Sequence, residues 1–127
     1  MKVERGDVVL TRVPHAAGGR GKKRPAVVIQ ADHYNQSERF VIVAEITTNL
    51  TRVADPANLL VETPTHEGKC TGLAQDSLVT CLQLATISED RITTVIGKLS
   101  AAMLRQVSDC LKTTLDIPRQ RQARQCP

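Results

Sequence analysis

The chain has 127 residues, a length that suits a single domain, and 41% of them are apolar. One Phe, one Tyr and no Trp make any core aliphatic and argue against a module that stacks single-stranded bases on aromatic side chains. No segment reaches the roughly 20 apolar residues of a membrane span, and the polar start at Met1–Asp7 lacks the apolar centre of a signal peptide. The sequence therefore predicts a cytoplasmic protein with no membrane partner.

Positive charge is concentrated in two stretches of the chain. The formal net charge is +4, from 17 Lys and Arg residues against 13 Asp and Glu residues. Five basic residues and no acid lie between Arg12 and Arg24, and Pro118–Pro127 adds three arginines without an acid. Such local charge predicts a negatively charged partner, either a nucleic acid or an acidic protein.

The cysteine pattern indicates a reducing compartment. No Cys-x-x-Cys pair occurs among the four cysteines, which are Cys70, Cys81, Cys110 and Cys126. His66 and Cys70 are residue types that bind zinc, but their spacing does not match known pairs of zinc ligands. We therefore expect no metal site and no cofactor.

The first half of the chain predicts three strands. Asp7–Val13 (DVVLTRV) reads as a half-buried strand, and Pro14–Lys23, with three glycines, follows as a loop. Arg24–Gln30 (RPAVVIQ) predicts a second strand with a proline near its start, where proline is tolerated. Ala31–Ser37 is short and polar, which predicts a turn or one helical turn. Phe40–Thr48 is apolar enough for a central strand.

The second half alternates loops with short strands. Asn49–Asn58 is irregular and precedes a short fourth strand, Leu59–Glu62, after which Thr63–Gly72 forms another loop. Ser77–Leu84 (SLVTCLQL) predicts the fifth strand and Val95–Leu99 the sixth. Many short strands joined by turn-rich loops are typical of a small antiparallel barrel.

A helix is predicted at the C-terminal end. Ser100 is a favoured N-cap residue, and apolar side chains follow it at helical spacing: Leu104, Val107, Leu111 and Leu115. We expect Pro118 to end the helix and the arginine-rich residues after it to be disordered. The sequence thus predicts a mainly β protein, a small and strongly curved antiparallel barrel with a C-terminal helix. Its domain comprises residues 1–117, and residues 118–127 form a basic tail.

Several segments occur in an order that resembles a known family. Each is weak alone, but the ordered set, with the helix at its end, is specific. The segments are ERGDVVLTRVP (Glu4–Pro14), RPAVVIQ (Arg24–Gln30), YN (Tyr34–Asn35), VAEITTN (Val43–Asn49), TGLAQDSLVTCLQLATI (Thr71–Ile87) and IGKLS (Ile96–Ser100). Over about residues 4–117 the chain resembles the MazF/PemK toxins of toxin–antitoxin systems.

The resemblance implies a fold, an activity and partners. It implies a homodimer of SH3-like barrels that acts as an endoribonuclease without a metal or other cofactor. Such enzymes cut single-stranded RNA, including mRNA, at short sequences through attack by the 2′-hydroxyl, and they leave a 2′,3′-cyclic phosphate and a 5′-hydroxyl. The resemblance also implies a cognate antitoxin, whose acidic disordered segment occupies the RNA groove and blocks it.

The resemblance assigns catalysis to Arg24, which precedes the proline, and to Thr47, which follows the third apolar run. Arg24 offers a planar fork of donors that matches two phosphate oxygens, and Thr47 offers a hydroxyl to the same phosphate. Thr48 is an alternative to Thr47, since strand ends are the least precise part of such an assignment. We expect RNA contacts from six further residues: His15, Arg20, Lys22, Lys23, Thr48 and Gln83.

Departures from the family pattern leave other functions open. Leu82 and Ala85 stand where the family carries an acid and an arginine, and GGRGKK at Gly18–Lys23 replaces a loop that reads like HEQ or SEQ in the family. One alternative is a gyrase-poisoning toxin of the same fold, and another is a degenerate module that binds RNA or an antitoxin without cutting. A third interpretation makes Arg24 a surface arginine held by a carboxylate.

Overall fold

The fold is built on one six-stranded sheet in which every neighbouring pair of strands is antiparallel. The computed structural model describes residues 2–12 and 23–118. The strands are β1 (Asp7–Arg12), β2 (Lys23–Val28), β3 (Phe40–Thr47), β4 (Asn58–Val61), β5 (Ser77–Ser88) and β6 (Ile92–Lys98). Their order across the sheet is β4-β5-β3-β2-β1-β6.

The predicted antiparallel β fold with a C-terminal helix is confirmed, although the sheet is open rather than a closed barrel. Within the described ranges, β4 and β6 form its two edges. Register shifts interrupt the pairing of β1 with β6 and of β3 with β5. Extra residues in one strand of a pair increase its bend and twist, so these shifts curve the sheet.

In the described residues, three α-helices lie outside the sheet: α1 (Asp32–Ser37), α2 (His66–Cys70) and α3 (Ala101–Leu115). α1 lies in the segment after β2 for which the sequence predicts a turn or one helical turn. α2 is a correction, because it falls within the predicted loop of residues 63–72. Its N-cap is Thr65, whose Oγ1 accepts the Gly68 N–H at 2.9 Å. In the part of the chain that the structure describes, no helix is long and apolar enough to cross a bilayer.

Several strand ends differ from the predicted ones. Lys23 belongs to β2 rather than to the preceding loop, because it pairs with β1. β2 ends at Val28, since the next two N–H groups both bond the Ile42 carbonyl. β5 runs on to Ser88, where it still pairs with Phe40. The predicted basic tail beyond Pro118 lies outside the described residues.

The larger hydrophobic core lies between the sheet and α3. Met103, Val107 and Cys110 of α3 are buried there, and Leu99 joins them. Five strands contribute the remaining buried side chains: Val8, Val27, Ala44, Ile46, Val61, Val79 and Cys81. All of them are small or branched, as the composition predicts. Burying each Val or Leu side chain contributes about 1.5–3 kcal/mol.

A second core lies on the opposite face of the sheet. Its members are Val3, Val9, Ala26, Val28, Val41, Val43, Ile87 and Ile92. In β3, Val41 and Val43 belong to this second core whereas Ala44 and Ile46 belong to the first, as the alternation of side chains along a strand requires. The sheet is therefore apolar on both faces over part of its length.

α3 begins where the sequence predicts and ends differently. Ser100 Oγ accepts a backbone N–H of the first helical turn at 3.1 Å. Val107 is fully buried, but Leu115 is exposed and does not extend the apolar face. Asp116 adopts the left-handed conformation, with φ of 55°, and its N–H bonds two carbonyls of the last turn. This cap ends the helix, and Pro118 lies beyond it.

The structure shows free thiols at Cys70, Cys81 and Cys110. Cys81 of β5 and Cys110 of α3 meet in the first core. Their hydrogen bond and the burial of the site raise the pKa of the Cys81 thiol, which therefore stays protonated at neutral pH. This pair contributes to packing and lies apart from the polar residues described next.

Candidate nucleic-acid cleavage site

A polar groove opens at one end of β2 and β3. Ala26 of β2 stands directly opposite Glu45 of β3. Side chains alternate along a strand, so Arg24, two residues before Ala26, and Thr47, two residues after Glu45, lie on this same face. The ends of two neighbouring strands thereby bring Arg24 and Thr47 together.

The groove continues across β5 and β4. Glu45 and Thr47 pair with Thr80 and Leu78 of β5, and Thr80 pairs in turn with Asn58 of β4. The same face of the sheet carries valines at its other end, where it forms the second core. Along the same strands this face changes from valines to arginine, glutamate and threonine. Its polar end is therefore the part that suits a ligand.

A bulge in β5 forms one wall of the groove. The pairing of β3 with β5 skips residues 81–83, which have no partner on β3. The Cys81 N–H bonds the Ala57 carbonyl instead, at 3.0 Å. The inserted residues expose Leu82 and Gln83, and both side chains line the groove.

The segment after β3 is a series of turns held by its own polar side chains. Thr47 Oγ1 accepts the Asn49 N–H at 3.1 Å, and Asn49 Oδ1 accepts the N–H and the hydroxyl of Thr51 at 3.0 and 2.8 Å. Further along, Arg52 Nη2 pairs with Asp55 Oδ2 at 2.8 Å. These local bonds replace the strand ladder and fix the second wall of the groove.

Two cavities share Arg24 and Thr47 in their walls. The larger has a volume of about 390 Å³ and the smaller about 280 Å³. Around the larger cavity also stand Glu45, Asn49, Thr51, Arg52, Asn58, Leu78, Thr80, Leu82 and Gln83. Around the smaller one stand Lys23, Pro25, Ile46, Thr48 and Ser77. Arg24 and Thr47 therefore have space for a ligand on both sides.

Opposite charges meet in the larger cavity. Arg24 Nη1 lies 3.3 Å from Glu45 Oε1, and the two side chains are 36% and 19% exposed. This ion pair is the contact expected of an arginine held by a carboxylate, but it lies inside a cavity rather than on an open surface. A guanidinium has five N–H donors in a fixed fork, so one partner orients it without using up its capacity to bind an anion.

All five predicted site residues within the described ranges line one or both cavities. Arg24, Thr47 and Gln83 line the larger cavity, and Lys23 and Thr48 line the smaller one. The two residues that depart from the family pattern lie in different places. Leu82 lines the larger cavity, whereas Ala85 packs against the second core. Three predicted RNA contacts lie outside the described residues: His15, Arg20 and Lys22.

Sequence reasoning missed several polar residues of the larger cavity. These are Glu45, Asn49, Thr51, Arg52, Asn58 and Thr80. Glu45 left a detectable signal, because it is the only charged residue in β3 and stands two positions before Thr47. The others left none, since their placement depends on the turns after β3 and on the pairing of β4 with β5.

The groove presents hydrogen-bond donors and charge rather than a cluster of metal ligands. In the described ranges, no three His, Cys, Asp or Glu side chains come together in a group that could hold a metal ion. His66 and Cys70, considered for zinc, begin and end α2 and line neither cavity. A guanidinium beside hydroxyls and amides suits an anionic, polar ligand such as a phosphodiester.

Known proteins match this chain over nearly its whole length. Residues 4–115 match the model of the PemK-like, MazF-like toxins of type II toxin–antitoxin systems. The endoribonuclease MazF6 of Mycobacterium tuberculosis (strain ATCC 25618 / H37Rv) is 30% identical over 119 residues, which is 92% of this chain and 100% of that protein. The endoribonuclease EndoA of Bacillus subtilis (strain 168) is 30% identical over 116 residues, 91% and 96% of the two chains.

Solved structures share the fold. An endoribonuclease from a mycobacterial species, in complex with its cognate antitoxin, superposes with a TM-score of 0.70 at 16% sequence identity. The match covers 93% of this chain and 99% of that one. At this identity the likeness concerns the fold alone.

Proposed function

The chain belongs to the PemK-like, MazF-like toxins of type II toxin–antitoxin systems, and we propose that it is a metal-independent endoribonuclease that cuts single-stranded RNA at selected sequences. Its relatives at 30% identity carry the name endoribonuclease. The observation that supports the proposal most strongly is the position of Arg24 and Thr47, side by side in the walls of two cavities.

The groove suits a phosphate that joins two nucleotides. The Arg24 guanidinium can donate two parallel hydrogen bonds to two phosphate oxygens, and the Thr47 hydroxyl can donate a third. Arg24 and Thr47 line both cavities. A phosphate bound by these two residues is therefore proposed to have one flanking nucleotide in each cavity. Arg24 and Thr47 are thus the proposed catalytic residues.

The proposed reaction is in-line attack by the 2′-hydroxyl oxygen on the adjacent phosphorus. The O2′–P bond forms as the P–O5′ bond breaks, which leaves a 2′,3′-cyclic phosphate and a 5′-hydroxyl. Negative charge grows on the phosphoryl oxygens in the transition state, where donors that are already in place stabilise it. Arg24 acts as a fixed charge rather than as a base, because a guanidinium stays protonated in proteins.

The neighbouring polar side chains are proposed to bind the RNA on either side. Gln83 lines the larger cavity, and Lys23 and Thr48 line the smaller one. From the sequence alone, three residues of the basic loop are proposed as further contacts: His15, Arg20 and Lys22. Basic side chains that contact phosphates release counterions, so binding is expected to weaken as salt increases.

We also propose a homodimer, a cognate antitoxin and action in the cytoplasm. A structural neighbour was solved with its cognate antitoxin, which supports a partner of this kind. An acidic, disordered antitoxin segment is proposed to occupy the same groove and place carboxylates near Arg24. Residues 1–117 are the proposed toxin domain, and residues 118–127 its basic tail.

Cleavage of a long RNA of mixed sequence, with EDTA present, tests the proposed function. Wild-type protein is expected to produce discrete fragments, and Arg24→Ala and Thr47→Ala to cleave about 10²–10³-fold more slowly. Arg105→Ala removes an exposed arginine of α3 and is the matched control, which should cleave like wild type.

Three other results would contradict the proposal or favour another function. Full activity in Arg24→Ala contradicts the site assignment. Intact RNA despite measurable binding favours a module that captures RNA without cutting it, which is the outcome that Leu82 and Ala85 leave open. Gyrase-dependent DNA breakage with intact RNA favours a gyrase poison.

A further inference from the structure

A single carboxylate stands in the larger cavity. Among the described residues that line it, Glu45 is the only acid, beside two arginines, and the rest are amides, hydroxyls and leucines. A negative charge repels the RNA backbone, so its presence weakens binding unless the carboxylate serves another purpose. β3 is otherwise apolar except at its threonine end, so nothing in the pattern of the strand requires a glutamate there.

The position of Glu45 is fixed from three sides. On β3 it lies two residues before Thr47 and on the same face. Across the sheet it stands opposite Ala26 of β2 and Thr80 of β5. Its Oε1 lies 3.3 Å from Arg24 Nη1, and its side chain is the less exposed of the two. The carboxylate is therefore held beside Arg24 and on the same face of the sheet as Thr47.

The proposed reaction needs a group that takes the proton from the attacking 2′-hydroxyl. Among the described residues of the larger cavity, Arg24 and Arg52 stay protonated, and amide, hydroxyl and aliphatic side chains are not bases near neutral pH. An ionised carboxylate can accept a proton. We propose that Glu45 is the general base of this enzyme, an inference that rests on the proposed ribonuclease function.

In this step the Glu45 carboxylate takes the 2′-hydroxyl proton as the O2′–P bond forms. The P–O5′ bond breaks, and the 5′-oxygen leaves with its electron pair and takes a proton from a water molecule. The hydroxide that remains receives the proton from Glu45, so the carboxylate is regenerated and no water is consumed. Arg24 holds the phosphate and, through its contact with Glu45, keeps the base next to the reacting sugar.

A purely positioning role for Glu45 makes a different prediction. Glutamine has nearly the same shape and keeps an oxygen that can accept the Arg24 N–H, but it cannot take a proton. Glu45→Gln therefore keeps the orientation of Arg24 and removes the base. It also removes a negative charge from the groove, which strengthens attraction for RNA.

The test measures cleavage and binding separately. Fragments made by wild type first give the cut sequence, and an oligonucleotide with that sequence is the substrate. The same oligonucleotide with a 2′-deoxy sugar at the attacking position is the binding probe. Glu45→Gln is expected to cleave about 10²-fold or more slowly under single-turnover conditions while binding the probe at least as tightly as wild type. Unimpaired binding also shows that the variant is folded.

Two further variants complete the comparison. Glu45→Asp keeps a carboxylate and should cleave faster than Glu45→Gln, while Glu62→Gln, which changes an exposed glutamate, should cleave like wild type. Cleavage by Glu45→Gln at the wild-type rate overturns the assignment and leaves Glu45 a positioning residue for Arg24. If wild type itself leaves all RNA intact, the proposed function fails and the role of Glu45 fails with it.

Discussion

The hydroxyl of Thr47 accepts the Asn49 N–H at 3.1 Å, and in the proposed reaction it also donates to the phosphate. Thr47→Ser keeps a hydroxyl and should retain most of the cleavage rate. Thr47→Val keeps the shape without the hydroxyl and should cleave about 10²-fold more slowly. Single-turnover rates compare the two, and urea unfolding isolates the loss of the turn bond, worth about 1 kcal/mol. Equal rates for valine and threonine would remove Thr47 from the reaction.

At this scale, the family resemblance singled out Arg24 and Thr47, and strand alternation explains why they lie on the same face of the sheet. Arg24 and Thr47 sit at the ends of two apolar runs, and neighbouring antiparallel strands bring such ends together. Asn58 and Thr80 were missed because they meet only through the pairing of β4 with β5. The residues next to each of them in the sequence do not indicate that pairing. Glu45 was missed although its strand position was known, since its contact with Arg24 reaches across the sheet.

Among the elements, α3 was predicted best, and Ser100 explains why. Its Oγ accepts the Met103 N–H at 3.1 Å and also donates to the Glu67 carboxylate of α2. Ser100→Ala loses both contacts, so the free energy of unfolding should fall by about 1–2 kcal/mol. Ser37→Ala, at the exposed end of α1, is the control and should change little.

Urea unfolding measures the effect of Ser100→Ala, and RNA cleavage should be unchanged because Ser100 lies in neither cavity wall. An unfolding free energy equal to that of wild type would show that the cap contributes nothing to α3. Ser100→Thr keeps a hydroxyl that can cap and should restore most of the loss.

The elements predicted less well are those that local pattern does not determine. α2 is only five residues long, and its one strong signal is the capping Thr65. The run SLVTCLQL does not indicate the bulge at residues 81–83. A regular strand and a bulged strand can have the same apolar composition. That bulge nevertheless sets the position of Gln83 in the groove.

Across the whole molecule, composition predicted an aliphatic core and the run of short strands predicted an antiparallel β fold, and both are confirmed. The two separate cores were not predicted. Apolar residues on both faces of a strand are also expected when the strand is buried within a single core. The predicted barrel takes the form of an open sheet, since β4 and β6 remain edges in the described ranges. Pairing between distant strands is a tertiary property that short sequence windows do not contain.

The chemistry of the RNA ends is the first measurement to make, because it shows whether the 2′-hydroxyl attacks the phosphate. Purified wild type is incubated with RNA in EDTA, and the fragments are separated and their termini identified. We expect 5′-hydroxyl ends, which polynucleotide kinase labels without prior phosphatase, and 2′,3′-cyclic phosphates at the other ends. Fragments with 5′-phosphate and 3′-hydroxyl ends would contradict attack by the 2′-hydroxyl, and intact RNA at high protein concentration would contradict the ribonuclease itself.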